Sequence, residues 1–168
     1  MNKAELLNKI NSGDSQQLAE AIQEFQENGD LDIAGALLEH IGQITDPRQQ
    51  TILSNLLADI KDSKFRNLLV NNLQQAGDNA TRAALLRIIW ESALDYSGYL
   101  ETLLPFLEAE DFTVAFEAST VLENLVHHLS LEQQDLLYQT ASRFPEEKQY
   151  LVSNILEALE QFATGDMG

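Results

Sequence analysis

The sequence predicts an all-α chain, built as an α-solenoid of about five helical hairpins. One observation is a Leu-Leu pair followed by a further apolar residue. It recurs as Leu6-Leu7-Ile10, Leu37-Leu38-Ile41, Leu68-Leu69-Leu73, Leu103-Leu104-Leu107 and, degraded, Leu136-Leu137-Thr140. A second is the helix-start signal that follows each: Asp14-Ser15, Asp46-Pro47, Asp78-Asn79, Asp111 and Pro145, spaced 32, 32, 33 and 34 residues apart. A third is a composition with 44% apolar residues, three prolines and eight glycines, which is that of an ordered globular chain. A period of this size made from two helical segments marks stacked repeats, because no single unit can bury its apolar face alone.

The elements follow in order. The first hairpin is predicted over 2–12 and 14–28, the second over 31–43 and 46–61, the third over 63–76 and 78–94. The fourth is predicted over 98–109 and 111–128, and the fifth over 130–142 and 145–163. Asp14, Asp46, Asp78 and Asp111 can each accept hydrogen bonds from the free N–H groups that open a helix, and their charge suits the dipole there. Pro47 and Pro145 fall where a missing N–H has no consequence. Gly29-Asp30 and Ala76-Gly77 signal stops, and Ser97-Gly98 punctuates the loop before the fourth unit.

Within each second helix, apolar residues recur at offsets 7, 10, 11 and 14 from the start signal. They are Leu53, Leu56, Leu57 and Ile60 in the second unit, and Leu85, Ile88 and Ile89, then Ser92, in the third. Ala118, Val121, Leu122 and Leu125 follow in the fourth, and Val152, Ile155, Leu156 and Leu159 in the fifth. At about 100° per residue these offsets share one helix face. The first unit keeps only Ala21 and Phe25 of the set, which suits a terminal cap.

Five such units use residues 1–163 of the 168 as a single domain, with a frayed tail over 164–168. A charged residue interrupts the only apolar stretch at the N-terminus and no run reaches the length of a membrane span, so a cytoplasmic protein is expected. There is no cysteine, which excludes disulfides and thiolate chemistry. The net charge is −17, from 27 acids against 10 bases, and residues 88–142 hold ten carboxylates and no Lys or Arg. Such a field repels phosphate backbones and anionic leaflets, so neither nucleic acid nor membrane is an expected partner.

Leu103-Leu104-Pro105-Phe106-Leu107-Glu108-Ala109-Glu110-Asp111-Phe112-Thr113-Val114-Ala115-Phe116-Glu117-Ala118-Ser119-Thr120-Val121-Leu122-Glu123-Asn124-Leu125 resembles a HEAT repeat: a proline inside the first helix, an Asp at the turn, then Val, Ala and Leu at helical spacing. The third unit is similar through Asp78 and Arg82. Ala115 stands where that pattern usually has Arg or Lys, and Thr81 where it has Val, so the resemblance is to the broad HEAT and armadillo-like class. It implies a right-handed α-α superhelix whose second helices line a concave side, a surface that such proteins generally use to hold other proteins.

Little in the chain points to catalysis, and no catalytic, cofactor or metal residues are assigned. His127 and His128 are neighbours on a helix and point about 100° apart, so they share an ion poorly. Glu108, Glu110 and Asp111 lack the glycine and the alternating ligands of a calcium loop. A Gly-rich phosphate loop, a Gly-x-Ser-x-Gly elbow and a His-Glu-x-x-His pair are all absent from the sequence.

The expected function is a non-enzymatic scaffold for protein-protein interaction. Opposite the apolar stripe, the second helices present Trp90, Phe116 and Tyr150 as aromatic anchors and Asp59, Glu91, Glu123 and Glu157 as an acidic rail. That combination suits a basic peptide or protein segment: aromatics supply desolvated area, acids supply selectivity and on-rate. The same aromatics could instead pack on neighbouring helices, leaving the acids as a solvated face. A different class of reading is an enzyme or small-ligand protein with a pocket near Trp90, Tyr96 and Tyr99, around the loop Asp95-Tyr96-Ser97-Gly98-Tyr99.

Overall fold

The computed structural model describes residues 3–12, 14–28 and 31–165. Among them every regular element is helical, with ten α-helices and no strand. They are α1 Lys3–Asn11, α2 Ser15–Asn28, α3 Leu31–His40, α4 Pro47–Ala58, α5 Lys64–Gln75, α6 Asn79–Glu91, α7 Leu100–Leu107, α8 Phe112–Leu125, α9 Leu131–Ser142 and α10 Ser153–Gly165. Short 3-10 segments lie at Ile41–Gln43, Ser97–Tyr99, Val126–His128 and Glu146–Leu151. No described helix is long and apolar enough to cross a membrane.

The start signals act as caps. Asp46 accepts from the Arg48 amide at 2.9 Å, Asp78 from Thr81 at 2.7 Å and Asp111 from Val114 at 3.0 Å. Asp14 accepts from Gln16 at 2.8 Å. Each satisfies a backbone donor that the helix leaves open. The fifth unit differs: Pro145 is extended and precedes a six-residue 3-10 segment, so α10 starts only at Ser153. Helices α4 and α6 stop three residues short of the predicted 61 and 94. The Gly29-Asp30 stop lies outside the described residues; of the tail 164–168, α10 takes in Thr164 and Gly165, and 166–168 are likewise outside.

By internal contacts the chain divides into two compact units, Met1–Leu94 and Asp95–Gly168. In the first, α1 packs on α3 and α3 on α5, while α2 packs on α4 and α4 on α6; α1 and α2, and α5 and α6, also pack together. In the second, α7 packs on α8 and α9, and α10 on α8 and α9. Each unit thus has the successive first helices against one another and the successive second helices against one another. The core lies between them.

Burial follows the second-helix register closely. Offset 7 is buried in all five units, as Ala21, Leu53, Leu85, Ala118 and Val152, and offset 11 in four, as Phe25, Leu57, Ile89 and Leu122. Leu156 is the exception and is half-buried. The 3-10 segment before it turns 120° per residue and not 100°, which rotates the face so that Leu151, Val152, Ile155 and Leu159 take the core. Helix α2 is less of a bare cap than its stripe indicated, since Leu18 and Ile22 are buried as well. The first helices need a register correction: in the third unit the buried pair is Leu69 and Val70, with Leu68 half-buried, and in the fifth it is Leu137 and Ala141, with Leu136 exposed.

One contact in the first unit has no slack. A Cβ built on Gly42 would overlap the Thr81 hydroxyl and come within 2.8 Å of the Thr81 Cα. The 3-10 turn at Ile41–Gln43 can therefore lie against α6 only because residue 42 has no side chain. Gly42→Ala should destabilise by about 1–3 kcal/mol, and Thr81→Ala should not rescue it, because the clash includes backbone. Denaturant titration of the single and double variants checks this.

Leu122 is fully buried on α8 and Glu123, the next residue, is not. Leu122→Ala should cost about 2–5 kcal/mol. Glu123→Ala should cost less than about 0.5 kcal/mol, and equal losses in chemical unfolding would contradict the helical phase described here.

The Asp78 carboxyl is held below the ordinary carboxylate range, first by the Thr81 amide, then by the Thr81 hydroxyl, with Arg82 acting in the same direction. A carboxylate whose folded pKa is depressed adds stability above its unfolded pKa, and that part is lost as pH falls through the folded value. The acid-induced loss of stability below about pH 5 should therefore be shallower in Asp78→Asn, whose amide oxygen still accepts but does not titrate. Thermal unfolding of both proteins across the acid range measures it.

Candidate functional site

Phe112 and Phe116, one turn apart on α8, lie on the same helix face. Their rings stack with centroids 5.8 Å apart and 25° between planes, and Phe112 stacks in turn on Tyr150 at 6.1 Å and 30°. All three are exposed, at 57%, 51% and 60%. Two of the three predicted anchors, Phe116 and Tyr150, are thus joined in one patch through a residue that the sequence reading did not single out. The signal for Phe112 was its four-residue spacing from Phe116, obscured because Phe112 follows the capping Asp111 directly.

The patch stands on rigid supports. Ser119, buried on α8, donates its hydroxyl to the Leu151 carbonyl at 2.5 Å and so ties the 3-10 segment bearing Tyr150 to the helix bearing both phenylalanines. The Lys148 amide donates to the Pro145 carbonyl at 2.9 Å, closing the first turn of that segment. Glu123 lies seven residues beyond Phe116 on the same face of α8 and is half-buried. Glu157, on α10, is exposed and accepts a 3.4 Å hydrogen bond from Gln161.

The remaining predicted site residues belong to the first unit. Asp59 is exposed at the C-cap of α4, and Glu91 closes α6. Glu91 pairs through one oxygen with Arg87 at 3.0 Å; its other oxygen is buried with no hydrogen-bond partner among the described residues. Trp90 is half-buried. Of the loop singled out for a small ligand, Tyr96 is 1% exposed and its ring sits 6.1 Å from half-buried Tyr99, an arrangement that places both in packing.

Two further features of the surface bear on chemistry. In the first unit, a cavity of about 180 Å³ is lined by Asp14, His40 and Asp46, with both aspartates already engaged as caps. In the second, Leu131, Tyr138 and Leu156 line an open groove of about 600 Å³ between α9 and α10. His127 and His128 are exposed in a 3-10 turn, and the His127 ring meets Phe162 edge-on at 6.0 Å. No group of three or more His, Asp or Glu among the described residues is placed to hold a metal ion.

No family model, no curated protein and no solved structure matches this chain.

Proposed function

We propose that the chain is a non-enzymatic protein-protein interaction scaffold, that the hairpins of each unit are HEAT-like and stack as in a right-handed α-solenoid, and that its acidic surface binds a basic segment of another protein. The observation that carries this reading is the exposed aromatic stack of Phe112, Phe116 and Tyr150. Three large rings held in contact with each other and with water are an unusual use of apolar area, and clustered exposed aromatics are the side chains most enriched at binding hot spots. The pairing of first helices with first and second with second supports the repeat reading.

The acids support the choice of partner. Asp59 caps the C-terminal end of α4, Glu91 ends α6, and Glu27 and Glu123 fall in the last turn of α2 and α8. A carboxylate at that end opposes the helix dipole, where a cation would be favoured. Folding stability does not account for repeating that placement. A cationic partner would reverse its sign, and Lys or Arg beside an apolar residue would complement both parts of the surface.

Panels of Lys- and Arg-rich peptides screened against the full chain should yield a ligand whose affinity falls as salt rises, since the screening length shrinks from about 30 Å at 0.01 M to about 8 Å at 0.15 M. Phe116→Ala should speed its dissociation by about tenfold. Reversing Glu91 and Glu123 to Lys should chiefly slow association. Preference for acidic peptides, or equal association rates for the parent and the charge-reversed protein, would contradict the proposal.

A further inference from the structure

We propose that the second unit contains a binding site for a small organic carboxylate with an apolar body, at the junction of α7, α9 and the 3-10 segment Glu146–Leu151. A cavity of about 160 Å³ opens there. Its apolar wall comes from Leu107 at the end of α7, Phe144 and Leu151, all buried. Arg143, the C-cap of α9, and Lys148, in the 3-10 segment, line the same cavity, with Glu108 as the one carboxylate among its lining residues.

The argument starts from the charge distribution. Residues 95–168 contain fourteen Asp and Glu but only two Lys or Arg, which are Arg143 and Lys148. With so many acids available, neither cation forms an ion pair with a described residue, in contrast to Lys9 with Glu20 and Arg87 with Glu91 in the first unit. The only two strong cations of the unit converge on one cavity and leave their charge unspent. Arg143 at the C-cap of α9 and Lys148 in the last turn of its 3-10 segment each suit the carbonyl end of their own element, but that does not account for the two lining one cavity.

The walls are in place before any ligand arrives. The Phe144 amide donates to Ala141 at 3.2 Å, the Gln149 side-chain amide donates to the Phe144 carbonyl at 3.3 Å, and the Val152 amide donates to Gln149 at 3.1 Å. Together with the hydrogen bond from Ser119 to Leu151, these fix the segment that carries both Phe144 and Lys148. Binding then orders little beyond two exposed side chains, which favours even a small ligand. The volume is below the roughly 300 Å³ at which drug-sized sites begin, so the ligand is small. Two cations select a carboxylate, and the apolar wall selects an aliphatic body beside it. Glu108, on the same lining, would meet an ammonium if the ligand carries one.

The test is a titration of the full chain followed by backbone amide NMR, using three probes with the same branched tail. These are 4-methylpentanoate, leucine and 3-methylbutylamine, which carry a carboxylate alone, a carboxylate with an ammonium, and an ammonium alone. Both carboxylates should give saturable shifts at Ala109, Phe144 and Lys148, and the amine should give none. Arg143→Gln with Lys148→Gln should weaken binding at least about tenfold. Arg143→Lys with Lys148→Arg should largely keep it. Because both side chains are exposed, helix content by circular dichroism should be the same in all four proteins, including Glu108→Gln. Tighter binding of leucine than of 4-methylpentanoate, lost in Glu108→Gln, would support the site with an amino acid as its ligand. No saturable shift by either carboxylate up to about 10 mM, equal binding by the double Gln variant, or equal binding by the amine would overturn the proposal.

Discussion

Ala21, Leu53, Leu85 and Ala118 are almost wholly removed from water, yet each sits on a helix of only 12 to 14 residues with a single apolar face. A hairpin of two such helices cannot enclose that face, because one partner helix covers only part of it. Burial has to be completed by the hairpin before or after. The rest of the structure depends on this: first helices must lie on first helices, second on second, and the close passage of the Gly42 turn against Thr81 is what that spacing demands within the first unit. Both Ala and Leu occur at this one offset and both are buried, so position on the helix, not side-chain size, sets the burial.

This sharing also explains which parts of the fold were legible in the sequence. In four units the second helix begins at an Asp whose side chain accepts from the first turn, so its phase is anchored. Offsets 7 and 11 counted from it are buried in all four, while Leu56, Ile60 and Ser92 at offsets 10 and 14 are half-buried. First helices are capped less uniformly: Ser130 opens α9 with a capping box, whereas Ser63 before α5 makes no side-chain cap. A Leu-Leu pair is symmetric under a shift of one residue, so the pair alone does not set the phase, and in the third and fifth units Leu69 and Leu137, not Leu68 and Leu136, are the core residues. The fifth second helix was read through Pro145 as one continuous α-helix. Proline fixes its own φ but says nothing about whether the next turn closes on three residues or four, and the 3-10 winding that follows moved Leu156 off the core face.

The candidate site was legible in part, for a related reason. Counting puts Phe116 and Tyr150 opposite the apolar stripe, and both are exposed, whereas Trp90 and Glu91, counted the same way, are half-buried. It could not show that Phe112 bridges them, because that contact joins α8 to a segment whose winding was misread. Nor could it find the cavity between Arg143 and Lys148, whose walls come from α7, α9 and the 3-10 segment together. Tyr96 differs in another way: a loop rich in aromatic residues resembles a ligand site in sequence, and here its first ring is buried beside Tyr99.

In the second unit the two signs of charge are kept apart, and separation has a physical consequence that neutral mixing would not. Interspersed charges pair, and an exposed pair contributes about 0–1 kcal/mol while presenting almost no field to a ligand. Carboxylates without local cations keep their potential outward, where it can draw in a basic segment and speed its encounter. Cations that form no ion pair with a described residue, beside a small apolar cavity with one carboxylate on its lining, keep theirs for an anion. Lys9 pairs with Glu20 and Arg87 with Glu91 in the first unit, whereas Arg143 and Lys148 in the second form no ion pair with a described residue. The capping aspartates contribute to stability, but carboxylates such as Glu123 and Glu157 cap no helix start, so their placement bears on what the surface meets.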